Sequence, residues 1–292
     1  MILVSFVEGK QSPFVYTKTD IFLRIVPHQS NFPAKIKSLK RTTKVGYKEI
    51  NANCICIEKV TQGSLFDVVI SRMAKESKSL LWLDPTMIPT ECLASIFTNW
   101  LINTKSTTNL GLGIVIPSTE NTKFKKDNYK AWTPTPSGIL RKKFEEIKLP
   151  VWYPSLTREP ECLKEIANAI KPFDILPVVE FPEIINYAAE REIALHYYML
   201  DQYRTRTRNF IYLNNKSPAE ALITLFGSFD AIPRTGKMPR SLVITPGGKP
   251  ISYLVTLLAG VFAGGIFITP EMESPYPEAR DTWGFAIFKK CE

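Results

Sequence analysis

The stretch LVITPGGKPISYLVTLLAGVFAGGIFITPE, residues 242–271, constrains the fold more than any other part of the chain. From Pro250 to Pro270 it carries no charge, and a helix of that length can cross a bilayer. Gly260 and Gly264 even stand at the spacing of a helix-dimerising pair. A membrane reading must nevertheless ignore Gly264-Gly265 in mid-segment and the β-branched, aromatic run IFIT that follows. Read instead as strand SLVITP, glycine turn, helix opened by Pro250, Gly-Gly and strand IFIT, the segment satisfies every local preference. The expectation is an apolar helix buried against a parallel sheet, with no membrane partner.

The same alternation recurs upstream. SLLWLD reads as a buried strand, PTECLASIFTNWLINT as a helix and LGLGIVIPS as the next strand. After a lysine-rich polar region, 119–148, which reads as an exposed excursion or connection, come PVWYPS, helix PECLKEIANAIK, strand DILPVVEF, a long helix from Pro182 to Tyr203, strand NFIYLNN and helix SPAEALITLFGSF. This is the pattern of an α/β fold, a Rossmann-like, doubly wound, mostly parallel sheet. Residues 1–75 differ, with short strands ILVSFVEG, PFVYTKTD, IFLRIVPH and NCICIEKV, and helical periodicity first in SLFDVVISRMAKES. The expected organisation is a β-rich basic N-terminal portion, 1–75, and a Rossmann-like domain, 76–292.

The net charge is +9, and residues 1–50 hold nine Lys/Arg against three Asp/Glu. An anionic partner is implied, but charge alone does not separate nucleotide from nucleic acid. Cys54, Cys56, Cys92, Cys162 and Cys291 are scattered and odd in number, which points to reduced thiols and against zinc. The opening MILVSFVEGK lacks the charged leader and apolar core of a signal peptide, so a cytoplasmic location is expected. No cofactor is implied.

Ligands of such sheets sit at the carboxyl ends of the strands, which selects two loops, TPGGKP and LNNKSP. In the first, Gly247 and Gly248 permit close backbone approach, the helix start offers N–H groups, and Lys249 and Ser252 add a cation and a hydroxyl. Two glycines could equally serve only the tight turn. In the second, Asn214 and Lys216 could face the same crevice, while Ser217 and Pro218 satisfy a helix cap without any ligand. Neither a Walker A loop nor a G-x-G-x-x-G fingerprint occurs.

VITPGGKPISYLVTLLA resembles the strand, turn and apolar helix near the end of CARF domains, Rossmann-like sensors of cyclic oligoadenylates in prokaryotic antiviral systems. That resemblance implies phosphate or ribose contacts for Thr245, Gly247, Gly248 and Lys249. REIALH sets Arg191 and His196 on one helix at the R-x4-H spacing of HEPN ribonucleases, although the surrounding strands oppose an all-helical domain of that kind. His28 and His196 are the only histidines, and neither adjoins a nucleophile motif, so no catalytic set is assigned. Asp84, at a strand end, suits either a ribose contact or a helix cap.

KIKSLKRTTKVGYK carries six cations and no acid. Along a hairpin, Lys35, Lys37, Lys40, Arg41 and Lys44 could track a phosphate backbone, or could blunt a sheet edge. Arg204, Arg206 and Arg208 offer a second anionic contact or a favourable helix end. The expected function is binding of a nucleotide or small oligonucleotide, CARF-like. The alternative is a nucleic-acid-binding subunit of a larger assembly that uses the basic hairpin. A homodimer is compatible with either.

Overall fold

The computed structural model of the chain describes residues 2–6, 21–26, 36–45, 48–58, 80–83, 90–102, 111–117, 129–136, 138–181, 188–203, 209–214, 217–233, 238–270 and 282–288. The chain divides into two compact units, Met1–Thr122 with Thr135–Gly138 and Ser274–Glu292, and Lys123–Pro134 with Ile139–Glu273. The expected strand in 13–20 and helix in 64–77, and Lys35, Asp84, Lys216, Arg204, Arg206 and Arg208, lie outside the described residues.

The first unit holds a seven-stranded sheet. Its strands are β1 (Ile2–Phe6), β2 (Ile21–Val26), β3 (Ile36–Val45), β4 (Lys48–Glu58), β5 (Leu80–Leu83), β6 (Gly111–Pro117) and, last in the chain, β15 (Thr282–Phe288). Their order is β15-β6-β5-β1-β2-β4-β3, parallel within and antiparallel at the two edge pairs. Leu81 of β5 pairs with both Ile2 of β1 and Leu112 of β6. Helix α1 (Thr90–Ile102) joins β5 to β6 and buries Leu93, Phe97 and Trp100. Two of its buried polar residues bond back along the helix: Thr98 Oγ1 donates to Ala94 O at 2.8 Å and Asn99 Nδ2 to Ser95 O at 3.0 Å.

The second unit opens with two strands that polar composition hid: β7 (Tyr129–Thr135) and β8 (Gly138–Lys142), inside the region expected to be an excursion. Long-range pairing overrides their weak local signal, since Ala131 and Trp132 are buried opposite Ile268 and Phe267. There follow β9 (Pro150–Pro154), α2 (Pro160–Ile170), β10 (Asp174–Ile175), β11 (Val178–Glu180), α3 (Ala188–Leu195), α4 (Tyr197–Gln202), β12 (Ile211–Leu213), α5 (Pro218–Asp230), β13 (Ser241–Thr245), α6 (Pro250–Phe262) and β14 (Ile266–Pro270). The sheet runs β10-β9-β13-β14-β7-β8, with β7 antiparallel to β14.

The single expected strand over DILPVVEF is interrupted at Leu176-Pro177, where proline has no N–H for the ladder. Its register survives the interruption: Ile175 pairs with Trp152 and Val178 bridges to Ser155, three residues further along both chains. With β12 parallel to β11, the parallel strands lie in the sequence β12, β10/β11, β9, β13, β14. The chain moves one way from β9 and the other way from β13, which is the reversal of a Rossmann-like sheet.

Helices cover both faces of this sheet. Trp152, Val243, Ile268 and Ala131 pack with Leu163, Ile166 and Ala167 of α2, Ala189 of α3 and Met199 and Leu200 of α4. The opposite face meets α5 and α6. Tyr153 lies edge-on to Phe229 at 4.9 Å, and Gly260 brings α6 so close that an added Cβ would sit 2.8 Å from Phe267 Cζ. The fold class is therefore α/β with mostly parallel sheets. The apolar segment of 250–262 forms a thirteen-residue helix, and no helix among the described residues is long and apolar enough to cross a membrane.

Within its described residues, 188–203, the long helix expected over 182–203 is divided into two helices. His196 separates α3 from α4 because its own ring Nδ1, 2.7 Å from Glu192 O, takes the carbonyl that a continuing helix would offer to its N–H. That N–H turns to Ile193 O at 3.1 Å. Arg191 is thus in α3 but His196 lies just beyond it.

Candidate functional site at the strand-order reversal

Since β9 and β13 are parallel neighbours, the loops that leave them emerge side by side, Ser155–Glu159 leading to α2 and Pro246–Lys249 leading to α6. Ser155 N–H donates to Thr245 O at 3.0 Å and closes the ladder. Beyond it the loops touch at Gly247, where a Cβ would stand 2.8 Å from Thr157 Oγ1 and 2.9 Å from Ser155 Oγ, so that any side chain there would displace its neighbours. The glycine is needed because the neighbouring loop presses on it. The Ser155 and Thr157 hydroxyls are themselves 2.9 Å apart.

Arg158, 1% exposed, fastens the pair of loops. Its Nε donates to Pro246 O at 2.8 Å, and its own carbonyl lies 3.0 Å from His196 Nε2. His196 therefore has a main-chain carbonyl at each ring nitrogen, a demand that only the imidazolium meets in full. Burial pushes its pKa below the ordinary value, while the Glu192 and Arg158 carbonyls pull it back.

Gly248 has φ of +94°, a left-handed conformation that glycine adopts without strain. The close approach this permits is used by Glu180, the last residue of β11, whose carboxylate Oε1 accepts the Lys249 N–H. Lys249 is the cap residue of α6 and supplies no side-chain cap, and the Glu180 carboxylate places a negative charge at the start of that helix by accepting the cap residue's own N–H. Glu192 on α3 stands in the same electrostatic neighbourhood. Burial first, and then the charge of Glu180, raises its pKa to about 7 against the opposing charge of Lys249. Its Oε2 is buried with no hydrogen-bond partner among the described residues.

Of the residues selected from sequence, Gly247, Gly248 and Lys249 lie together at this reversal. Ser252 is buried in the first turn of α6. Thr245 is fully buried and accepts the indole N–H of Trp152 at 2.9 Å, so its hydroxyl serves the core. Asn214 donates to Glu220 Oε2 at 2.8 Å across the start of α5, where Ser217 caps the helix through Glu220 N–H as its sequence indicates. Lys37, Lys40, Arg41 and Lys44 occupy β3, at one edge of the first unit's sheet. Sequence reasoning missed Ser155, Thr157, Arg158, Glu180 and Glu192. A signal existed for Glu180, an acidic residue ending the strand beside β9, where dinucleotide-binding folds carry one.

No protein-family model and no curated protein matches the chain. Among solved structures it is similar to "a functionally unknown protein PA1789 from Pseudomonas aeruginosa PAO1" and to a "Putative Universal Stress Protein from Pseudomonas aeruginosa UCBPP-PA14". Each is 10% identical over 92% of both chains, with a TM-score of 0.26. A likeness that low supports no argument about this chain. Among the described residues no group of three or more His, Cys, Asp or Glu could hold a metal ion.

Proposed function

We propose that the second unit binds a nucleotide or small oligonucleotide where its strand order reverses. The observation that carries this reading is the contact of the Gly247-Gly248 turn with the Ser155–Thr157 loop at the carboxyl ends of β9 and β13. Two loops there supply a cation, Lys249, two hydroxyls, Ser155 and Thr157, and the amino end of a thirteen-residue helix. That set suits the phosphate and sugar of one ligand. Cyclic oligoadenylate is the ligand suggested by the CARF-like turn. Calorimetry with cyclic and linear oligoadenylates tests the reading. Lys249→Ala is expected to weaken binding by about tenfold, the effect of losing one charge-assisted contact. Equal affinity in both proteins removes Lys249 from the site.

A second reading is favoured by β3, which places Lys37, Lys40, Arg41 and Lys44 along one sheet edge of the first unit. There the chain would bind nucleic acid as part of a larger assembly. Its signature is a salt dependence that Lys249→Ala leaves unchanged.

A further inference from the structure

We propose that Glu180 is an internal competitor for the phosphate position: its carboxylate holds the Lys249 N–H at the start of α6 and has to leave when a phosphate ester binds. The inference rests on the nucleotide reading of the site and adds its regulation. Three features meet at one point. Gly248, at φ +94°, has no side chain, and a Cβ there would overlap Glu180 Oε1. Lys249, the cap residue, donates its N–H to that same oxygen. Helix α6 begins with Pro250, which has no N–H, so the Lys249 amide is the last main-chain donor before the helix's first residue. The gap that a glycine turn leaves for a ligand oxygen is thus taken by an oxygen of the chain itself.

A carboxylate and a phosphate cannot share one donor. Both are anions, an N–H satisfies one acceptor well, and like charges at hydrogen-bond range repel. Glu192 interacts with the charges of both Glu180 and Lys249, and it adds to the repulsion whenever it is ionised. Ligand binding therefore includes the cost of breaking a charge-assisted hydrogen bond. A ligand gains affinity when Glu180 loses its charge and keeps its shape.

The test uses the full chain and two probes, inorganic pyrophosphate and cyclic tetra-adenylate, by calorimetry at fixed ionic strength. Glu180→Gln is expected to bind the probe that wild type binds about tenfold more tightly, as loss of a charged competitor predicts. Amide hydrogen exchange at Lys249 without any probe gives a ligand-independent measurement. The amide should be protected in wild type and exposed in Glu180→Ala, with unchanged exchange in β13 reporting an intact fold. If wild type binds and Lys249→Ala weakens binding, yet Glu180→Gln binds no more tightly, the competitor is disproved and the nucleotide reading stands. If neither wild type nor Glu180→Gln binds either probe, the nucleotide reading fails and the competition with it. Equal Lys249 exchange in wild type and Glu180→Ala overturns the contact whatever the binding data show.

Discussion

Glu192 and His196 sit one helical turn apart and titrate with opposite consequences. Burial, reinforced by Glu180, raises the Glu192 carboxyl from 4.5 to about 7, so the folded chain holds that proton more tightly than the unfolded chain does. The stability this contributes is fully present below pH 4.5 and is lost as pH rises through about 7. For His196 the folded value lies below 6.5, so its contribution is present above that pH and is lost as pH falls. The two are separable by substitution. Glu192→Gln keeps the shape of the side chain and removes its titration, and it should gain stability relative to wild type in going from about pH 5 to about pH 8. Urea unfolding of both proteins across that range is the check. A difference that stays flat with pH removes Glu192 as the titrating group.

Among the elements, α6 and α5 each carry one interior glycine, and the two have opposite meanings. Gly260 lets α6 touch β13 and β14, because a Cβ there would overlap the Ile244 side chain and lie 2.8 Å from Phe267 Cζ. Gly260→Ala should therefore destabilise the fold by about 1–3 kcal/mol through overpacking. Gly227 has nothing within 4 Å of its would-be Cβ, so Gly227→Ala should stabilise by roughly 0.5–1 kcal/mol through helix propensity alone. Thermal melts of the two variants should move in opposite directions, and a Gly260→Ala protein as stable as wild type would contradict the observed approach of α6. The α6 helix and its flanking strands are legible in sequence because proline, glycine and β-branched residues mark both ends within a few positions. Strand β7 is not legible in the same way. YKAWTPT is polar and proline-containing, and it becomes a strand by antiparallel addition to β14, more than a hundred residues away in sequence. The break at His196 is hidden for another reason: it depends on a side chain taking a main-chain carbonyl. At the site, the glycine turn is a local signal, whereas Glu180 and Glu192 join it only through strand order and packing, which no short motif records.

At the scale of the whole molecule, the two readings of function fall on different units, and this makes them separable in one protein. The reversal of strand order belongs to the second unit; the basic edge strand β3 belongs to the first. Nucleic-acid binding through β3 would release counterions for each phosphate neutralised, giving a linear fall of log affinity with log salt. Replacing Lys37, Lys40, Arg41 and Lys44 by Gln removes four positions of charge from that edge. If all four meet the backbone of a single strand, the slope should become shallower by roughly 3, at about 0.7 for each contact. Filter binding of a single-stranded oligonucleotide over a salt series measures this directly. The same variant should retain wild-type affinity for cyclic tetra-adenylate in calorimetry, since none of the four residues lies in the unit that carries Lys249. A salt slope unchanged by the four substitutions would exclude β3 as the nucleic-acid surface. Loss of oligonucleotide binding in Lys249→Ala with β3 intact would instead assign both anions to the strand-end loops, and the edge lysines would then serve only to keep an edge strand from pairing with another chain.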